Sequence, residues 1–307
     1  MLIPEIDLAH FQPNDSPRSN EIPSKVSDAL RKFGFMSVVN LGIEPSLVEE
    51  VFSSSRSFFC QEPSFKRNYA YSSSEENFGY QWVGSESLNP GRPPDLKETF
   101  TMRNPLNYQH TPNRWPSLDF QSIMTRFFEV CMEQAHRIER LIALSLDIEA
   151  DFFSSRHGGE NISLRLLRYP AYKSSKVLEN QLGAGEHTDY GLITLLFQDG
   201  LEGLQIRMAH STWISVPSNK SNVIVNSGDM LERWSNGWYQ STAHRVIANT
   251  NSAPRYSIAF FVDPDSDVQI DVLASCTDSA RPKKYKPIKA GEYIKARLDA
   301  SHKDNID

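Results

Sequence analysis

The sequence predicts a mainly β fold with flanking helices around a sandwich or jelly-roll core. Three patterns predict it. From residue 161 onward, short runs rich in β-branched and aromatic residues recur about every ten residues, punctuated by Gly, Asn, Pro and Ser. A long stretch of helical periodicity, 117–146, precedes them. Before that, the N-terminal portion alternates strand-like and helix-like segments.

Taken in order, residues 3–8 alternate weakly, with Pro4 near the start, and read as a short strand. Residues 24–33 place Val26, Leu30 and Phe33 at helical spacing. Residues 34–40 are β-rich and stop before Gly42. Pro45 opens a second helix with Leu47, Val48, Val51, Phe52, Phe58 and Phe59 as its apolar stripe. Residues 71–118 are polar, with two extended pieces at 77–83 and 95–102. A long irregular segment inside a compact domain is more often a binding loop than filler. Within 117–146, Phe120, Met124, Phe127, Phe128, Cys131, Ala135, Ile138, Leu141, Ile142 and Leu146 recur at helical spacing. The stretch is one long helix, or two meeting near Glu133, and it braces a sheet. Residues 151–153 make a short turn or helix. The strand-like runs are 162–169, 187–198, 202–207, 212–216, 222–226, 229–234, 243–249 and 255–262. Residues 291–298 form a short helix in the charged, proline-bearing tail.

Bulk properties exclude several function classes. The chain has 307 residues, 39% of them apolar, and a net charge of −6. A sizeable core can form, and nothing basic enough for a nucleic-acid footprint is present. No apolar run approaches the ~18–20 residues of a membrane span. The first residues, Met1-Leu2-Ile3-Pro4-Glu5-Ile6-Asp7, lack the pattern of a signal peptide. Cys60, Cys131 and Cys276 are odd in number and far apart, as reduced thiols of a cytoplasmic protein are. A monomer is expected.

Chemistry concentrates in the β-rich half. His187 and Asp189 stand two apart in Glu186-His187-Thr188-Asp189-Tyr190. In an extended backbone that spacing puts an imidazole and a carboxylate on one face. His244 follows, in Ser241-Thr242-Ala243-His244-Arg245-Val246. Two imidazoles and a carboxylate suit iron, zinc or manganese, and a facial set of three leaves positions open for a chelating co-substrate and dioxygen on Fe(II). The HExxH motif of zinc hydrolases is absent. Arg255 and Ser257 alternate on one strand, so they share a face. A guanidinium fork and a hydroxyl make a clamp for the far carboxylate of a dicarboxylic acid.

These stretches, together with Asn226-Ser227-Gly228-Asp229-Met230-Leu231 and Pro254-Arg255-Tyr256-Ser257, resemble the isopenicillin N synthase-like branch of the Fe(II)/2-oxoglutarate-dependent dioxygenases. Ile3-Pro4-Glu5-Ile6-Asp7 and Gly34-Phe35 with Val39-Asn40-Leu41-Gly42-Ile43 resemble the family's first two strands, with Leu41 where a His is common. The resemblance covers about residues 1–270. It implies a double-stranded β-helix (jelly roll) and the cofactors Fe(II), 2-oxoglutarate and O2. It implies His187, Asp189 and His244 as metal ligands, and Arg255, Ser257 and Tyr169 as 2-oxoglutarate contacts. Many relatives carry an Asn two residues before that tyrosine; here the position is Leu167. Arg165, Leu167 and Tyr169 share a strand face, with Arg168 on the other, and neither arginine receives a role. Glu98 is a landmark that stabilises its segment.

The resemblance implies an oxidoreductase that oxidises an unactivated C–H bond of a small organic molecule in specialised metabolism. Hydroxylation, desaturation and oxidative cyclisation share the first step. An iron oxidase that does not use 2-oxoglutarate is the alternative, and a non-catalytic metal-binding small-molecule receptor is the alternative of another class. Substrate walls are expected from Tyr80, Trp82, Phe100, Phe197 and Trp234, and anion contacts from Arg92, Lys97, Arg103 and Arg233, so the substrate is expected to bear a carboxylate. The expected organisation is one catalytic domain, 1–307. It comprises an N-terminal α/β and substrate-loop portion (1–118), a bracing helix (119–155), the jelly-roll core (160–270) and a C-terminal tail (271–307).

Overall fold

The computed structural model describes residues 3–11, 21–73, 76–86, 92–106 and 114–302, with His210 and residues 298–302 described by backbone alone. Parts of the 71–118 segment therefore lie outside the described residues.

Local chemistry starts the elements where the sequence places them. Strand β1 (Glu5–Asp7) leads to α1 (Ile22–Lys32), β2 (Phe35–Val39) and α2 (Pro45–Phe59). Pro45 occupies the first turn of α2 after an extended Glu44, where its missing N–H costs nothing. Then come α3 (Pro63–Arg67), β3 (Gly79–Gln81), β4 (Glu98–Arg103) and α4 (Leu118–Ser145). The Ser117 hydroxyl caps α4 by accepting the Phe120 N–H at 3.1 Å. The β-rich half supplies β5 (Ser163–Tyr169), β6 (Leu182–His187), β7 (Ile193–Gln198), β8 (Leu204–Arg207), β9 (Trp213–Ser215) and β10 (Val223–Ser227). It ends with α5 (Asp229–Trp234), β11 (His244–Ile247), β12 (Arg255–Val262), β13 (Gln269–Ile270), β14 (Ile288–Lys289) and α6 (Ala290–His302).

Two sheets form the jelly roll. The larger runs β1-β2-β10-β7-β12-β5-β4-β3 and the smaller β6-β11-β8-β9. Side chains from both sheets meet between them, among them Phe35, Leu167, Ala184, Leu204 and Val246. The outer face of the larger sheet is covered by α1, α2 and α4, whose apolar stripes join its residues in one core. That double covering explains why β12 is buried along nearly its whole length. The N-terminal strands and the C-terminal ones therefore share one sheet. No helix among the described residues is long and apolar enough to cross a membrane.

Two expectations change, and one open alternative is decided. Residues 229–234 form helix α5, not a strand. Met230, Leu231 and Trp234 are buried at helical spacing, and Gly228 ends β10 in an extended conformation. The 187–198 run divides between two sheets: His187 ends β6, which pairs with β11, and β7 (Ile193–Gln198) pairs with β10 and β12. The turn between them crosses from one sheet to the other. Gly228 permits that crossing, because a Cβ there would sit 2.3 Å from the Gly191 carbonyl oxygen. The 117–146 pattern is a single helix rather than two.

Candidate metal centre

Because β6 ends at His187, Asp189 reaches its neighbour from the crossing turn, not by strand alternation. The outcome is nevertheless convergence. Asp189 Oδ1 lies 3.8 Å from His187 Nε2 and 3.7 Å from His244 Nε2. His244 faces His187 directly across the β6–β11 register. With metal–ligand bonds of about 2.0–2.2 Å, ligand atoms on one face of an ion stand about 3 Å apart. A sub-ångström contraction therefore brings Asp189 Oδ1 to that spacing from each histidine.

The surrounding bonds prepare each ligand atom. His187 Nδ1 lies 2.8 Å from the Gly185 carbonyl and His244 Nδ1 3.1 Å from that of Thr242. A carbonyl only accepts, so each Nδ1 carries the proton and each Nε2 lone pair is free for an ion. Asp189 Oδ2 accepts from Thr194 Oγ1 at 2.6 Å and Asn226 Nδ2 at 2.7 Å, which leaves Oδ1 for the ion. Burial, then the neighbouring His244, pushes His187 down to about 3, so its ring is neutral. Burial opposes ionisation of Asp189, but the two histidines and its two donors hold its carboxyl below the ordinary value. A neutral His187 beside an ionised Asp189 is the pair of protonation states a metal requires.

A cavity of about 190 Å3 opens from this trio. Alternation along β12 sends Arg255, Ser257, Ala259 and Phe261 into it, and β5 contributes Tyr169, Leu167, Arg165 and Ser163 opposite them in register. At one end Arg255 is buried, with its guanidinium 4.8 Å from the Tyr169 ring centroid. Arg255 Nε donates to the Leu201 carbonyl at 3.1 Å and Nη2 to Gln198 Oε1 at 2.9 Å. Its Nη1 is buried with no partner among the described residues. A buried cation with one unused donor is what the carboxylate of a dicarboxylic acid would satisfy. Ser257 lines the same end. Leu167 adds an apolar surface to the same cavity.

The other end is polar but charge-balanced. Arg165 Nη2 donates to Glu86 at 2.9 Å, Gln81 at 3.0 Å and Thr99 at 3.1 Å. Lys97 lines the cavity, yet its ammonium is held by Asp95 at 2.6 Å and Glu86 at 3.1 Å. Burial would raise the Glu86 carboxyl, but Arg165 and Lys97 outweigh it and hold it well below the carboxylate range. Asp263 also lines the cavity, and burial, then the negative Asp189, pushes it up to about 7.

Most of the expected substrate contacts lie outside the cavity lining. Tyr80 and Phe100 pack around Phe58 in the core behind the sheet, and Phe197 packs against Phe127. Trp234 is buried against Phe153. Trp82 is exposed, with the Arg67 cation over its ring. Arg92 is exposed, and Arg233 donates to the Lys286 carbonyl beside Tyr285. Arg103 bonds Asn161. None of these lines the cavity. Their alternation was legible, but which sheet face the helices would cover was not. Lys97 alone stays, already neutralised. Glu98 stabilises its segment as expected, binding Lys66, Tyr80 and Arg168. The sequence reading missed Thr194, Gln198, Asp263 and the tail. Ile294 of α6 reaches the cavity, and Arg297 bonds Thr188 at 3.0 Å in the turn that carries Asp189.

Comparison with known proteins agrees with this geometry. Residues 161–264 match the 2OG-Fe(II) oxygenase superfamily model, and residues 3–118 match the model described as non-haem dioxygenase in morphine synthesis N-terminal. A Metarhizium rileyi protein described as a 2-oxoglutarate-Fe(II) type oxidoreductase (ppzD) is 31% identical over 95% of this chain and 89% of its own. A full-length Neurospora crassa protein solved with alpha-KG and thymine is 34% identical, covering 97% of this chain and 96% of its own, with a TM-score of 0.88. JOX2, solved with 2OG, Fe and JA, is 29% identical over 100% of this chain and 87% of its own, with a TM-score of 0.82.

Proposed function

From the premise that the chain belongs to the 2OG-Fe(II) oxygenase superfamily, we propose that His187, Asp189 and His244 hold its iron and that Arg255, Ser257 and Tyr169 hold its 2-oxoglutarate. The enzyme is a 2-oxoglutarate-dependent dioxygenase that oxidises a C–H bond of a small organic molecule. The observation that carries the residue assignment is the unused Arg255 Nη1, buried in the cavity that the His-Asp-His trio also lines.

When bound, Fe(II) and 2-oxoglutarate supply dioxygen activation: for hydroxylation, substrate, O2 and 2-oxoglutarate give hydroxylated product, succinate and CO2. The chain's own part is positioning and exclusion. Two imidazoles and one carboxylate leave other positions of the ion for ligands. Arg255 fixes the far end of the co-substrate through a charge-assisted bond, with Gln198 and the Leu201 carbonyl setting the guanidinium plane. Leu167, Leu204 and Val246 keep water from the co-substrate stem. No side chain needs to act as a general base.

The substrate we propose is uncharged, with hydrogen-bonding groups. The Arg165 and Lys97 charges are matched by Glu86 and Asp95, so the cavity offers no spare cation there to a substrate carboxylate. Thymine, bound by the Neurospora crassa relative, is a molecule of this kind. The same reading takes 1–307 as one catalytic domain, monomeric and cytoplasmic, supported by the sheet shared between its halves and by three unbridged cysteines.

The test is succinate release with Fe(II), 2-oxoglutarate and a panel of uncharged heterocycles, phenolics and carboxylic acids. Uncharged heterocycles should stimulate release in the wild-type protein, and His187→Ala and Asp189→Ala should abolish it. Full turnover in both variants would sink the ligand assignment. Stimulation by carboxylic acids alone would sink the substrate reading.

A further inference from the structure

We propose a second divalent-metal site, of zinc class, formed by His136, Glu139 and His157. It uses none of the residues that line the catalytic cavity. His136 and Glu139 lie three apart on α4, so they share one helix face. His157 follows the short 3-10 turn Ser154–Arg156 and precedes β5. The ligand-type atoms of the three side chains all lie within 4.8 Å of one another.

The cluster has more ligand capacity than a plain ion pair uses. His157 Nε2 lies 2.7 Å from Glu139 Oε1, and both side chains are buried. Glu139 Oε2 is also buried, yet has no hydrogen-bond partner among the described residues. The carboxylate thus keeps an acceptor that only a cation or a further donor can satisfy. His136 stands beside the pair, its ring centroid 5.3 Å from that of His157. A further carboxylate stands near: Asp265 accepts the N–H of Gly158, the residue after His157, at 2.6 Å. Two imidazoles, a carboxylate and an acidic surround match the borderline donor set of zinc.

The geometry needs only small movement. Tetrahedral ligand atoms around zinc stand about 3.3 Å apart, from bond lengths of about 2.0–2.2 Å. The Glu139–His157 pair opens by a few tenths of an ångström, and His136, which is exposed, turns inward. The exposed side leaves a fourth position for water. Bound there, an ion ties α4 to the segment that leads into β5, the strand carrying Tyr169.

The test counts zinc. Chelator-treated full-length protein equilibrated with Zn2+ and desalted should retain two equivalents by elemental analysis, and His136→Ala should retain one. His187→Ala/Asp189→Asn, which removes the catalytic trio, should also retain one, and Zn2+ should raise its melting temperature. Adding His136→Ala to that double variant should abolish the shift and weaken zinc binding by roughly 100-fold or more. His136→Ala in the otherwise native enzyme keeps iron-dependent succinate formation, since the exposed imidazole touches no part of the cavity. A single equivalent in the wild-type protein, or equal zinc content with and without His136, overturns the proposal.

Discussion

Asp189 has two oxygens with two different tasks. Oδ1 faces the histidines, and Oδ2 is held by Thr194 and Asn226. Without those donors the carboxylate is free to rotate and its basicity changes. Asn226→Ala should therefore lower Fe(II) affinity by about 10–100-fold while leaving the fold intact, measured by anaerobic iron titration. Unchanged affinity would make the bond incidental. Arg255 allows a second test at this scale. Arg255→Ala removes a charge-assisted bond worth about 1.5–3 kcal/mol, which is roughly a 10- to 150-fold rise in the 2-oxoglutarate requirement. Succinate formation against 2-oxoglutarate concentration reads it directly, and an unchanged requirement rejects the clamp. Both side chains were legible from type and spacing. Gln198 and Thr194, which orient them, were not, because nothing local marks a strand Gln or Thr as a partner of a distant charge.

Between elements, β4 acts as the hinge of the N-terminal portion. Glu98 sits at its start and accepts from Lys66 of α3 at 2.8 Å, from Tyr80 of β3 at 2.5 Å, and from Arg168 of β5. One carboxylate thereby fastens α3 and two strands that the sequence separates widely. Glu98→Gln keeps the shape but leaves the buried Lys66 ammonium and the partly buried Arg168 guanidinium uncompensated, so a loss of about 3–5 kcal/mol in denaturant unfolding is expected. Iron affinity of the folded fraction should stay near the wild-type value, because Glu98 does not line the cavity. A loss below about 0.5 kcal/mol would reduce the network to an ordinary surface pair. The same scale explains the α5 correction. Alternation alone cannot separate a short buried strand from one helical turn; the chain's exit from β10 at Gly228 decides it.

Across the whole molecule, the tail closes what the jelly roll leaves open. Arg297 bonds Thr188 at 3.0 Å and Asp229 at 3.1 Å, and its guanidinium lies 4.6 Å from the Tyr190 ring centroid. Tyr293 donates to Asp229 at 2.7 Å, and Ile294 lines the cavity. Helix α6 thus buttresses the turn that carries Asp189. Removing residues 290–307 should leave a folded protein that binds Fe(II) and 2-oxoglutarate. Its substrate-dependent succinate formation should fall by roughly 10- to 100-fold, because positioning at the reacting centre is sensitive to sub-ångström shifts. An unchanged kcat/KM for substrate would make the helix a passive appendage.

What the sequence by itself determined are the things written locally: residue types with ligand chemistry, strand alternation on β12 and β5, the helical stripes and the Pro45 helix start. Those were enough for the His187, Asp189 and His244 trio and for the shared face of Arg255 and Ser257. The tertiary structure alone decided which charges are spent and which are free. Lys97 looks like a substrate anchor until Asp95 and Glu86 meet it in the folded chain. It also decided that aromatic residues of the 77–103 segment pack into the core, and that a charged tail reaches the metal centre. Pairing across tens of residues depends on how the two sheets and the helices stack, and no local pattern encodes that stacking.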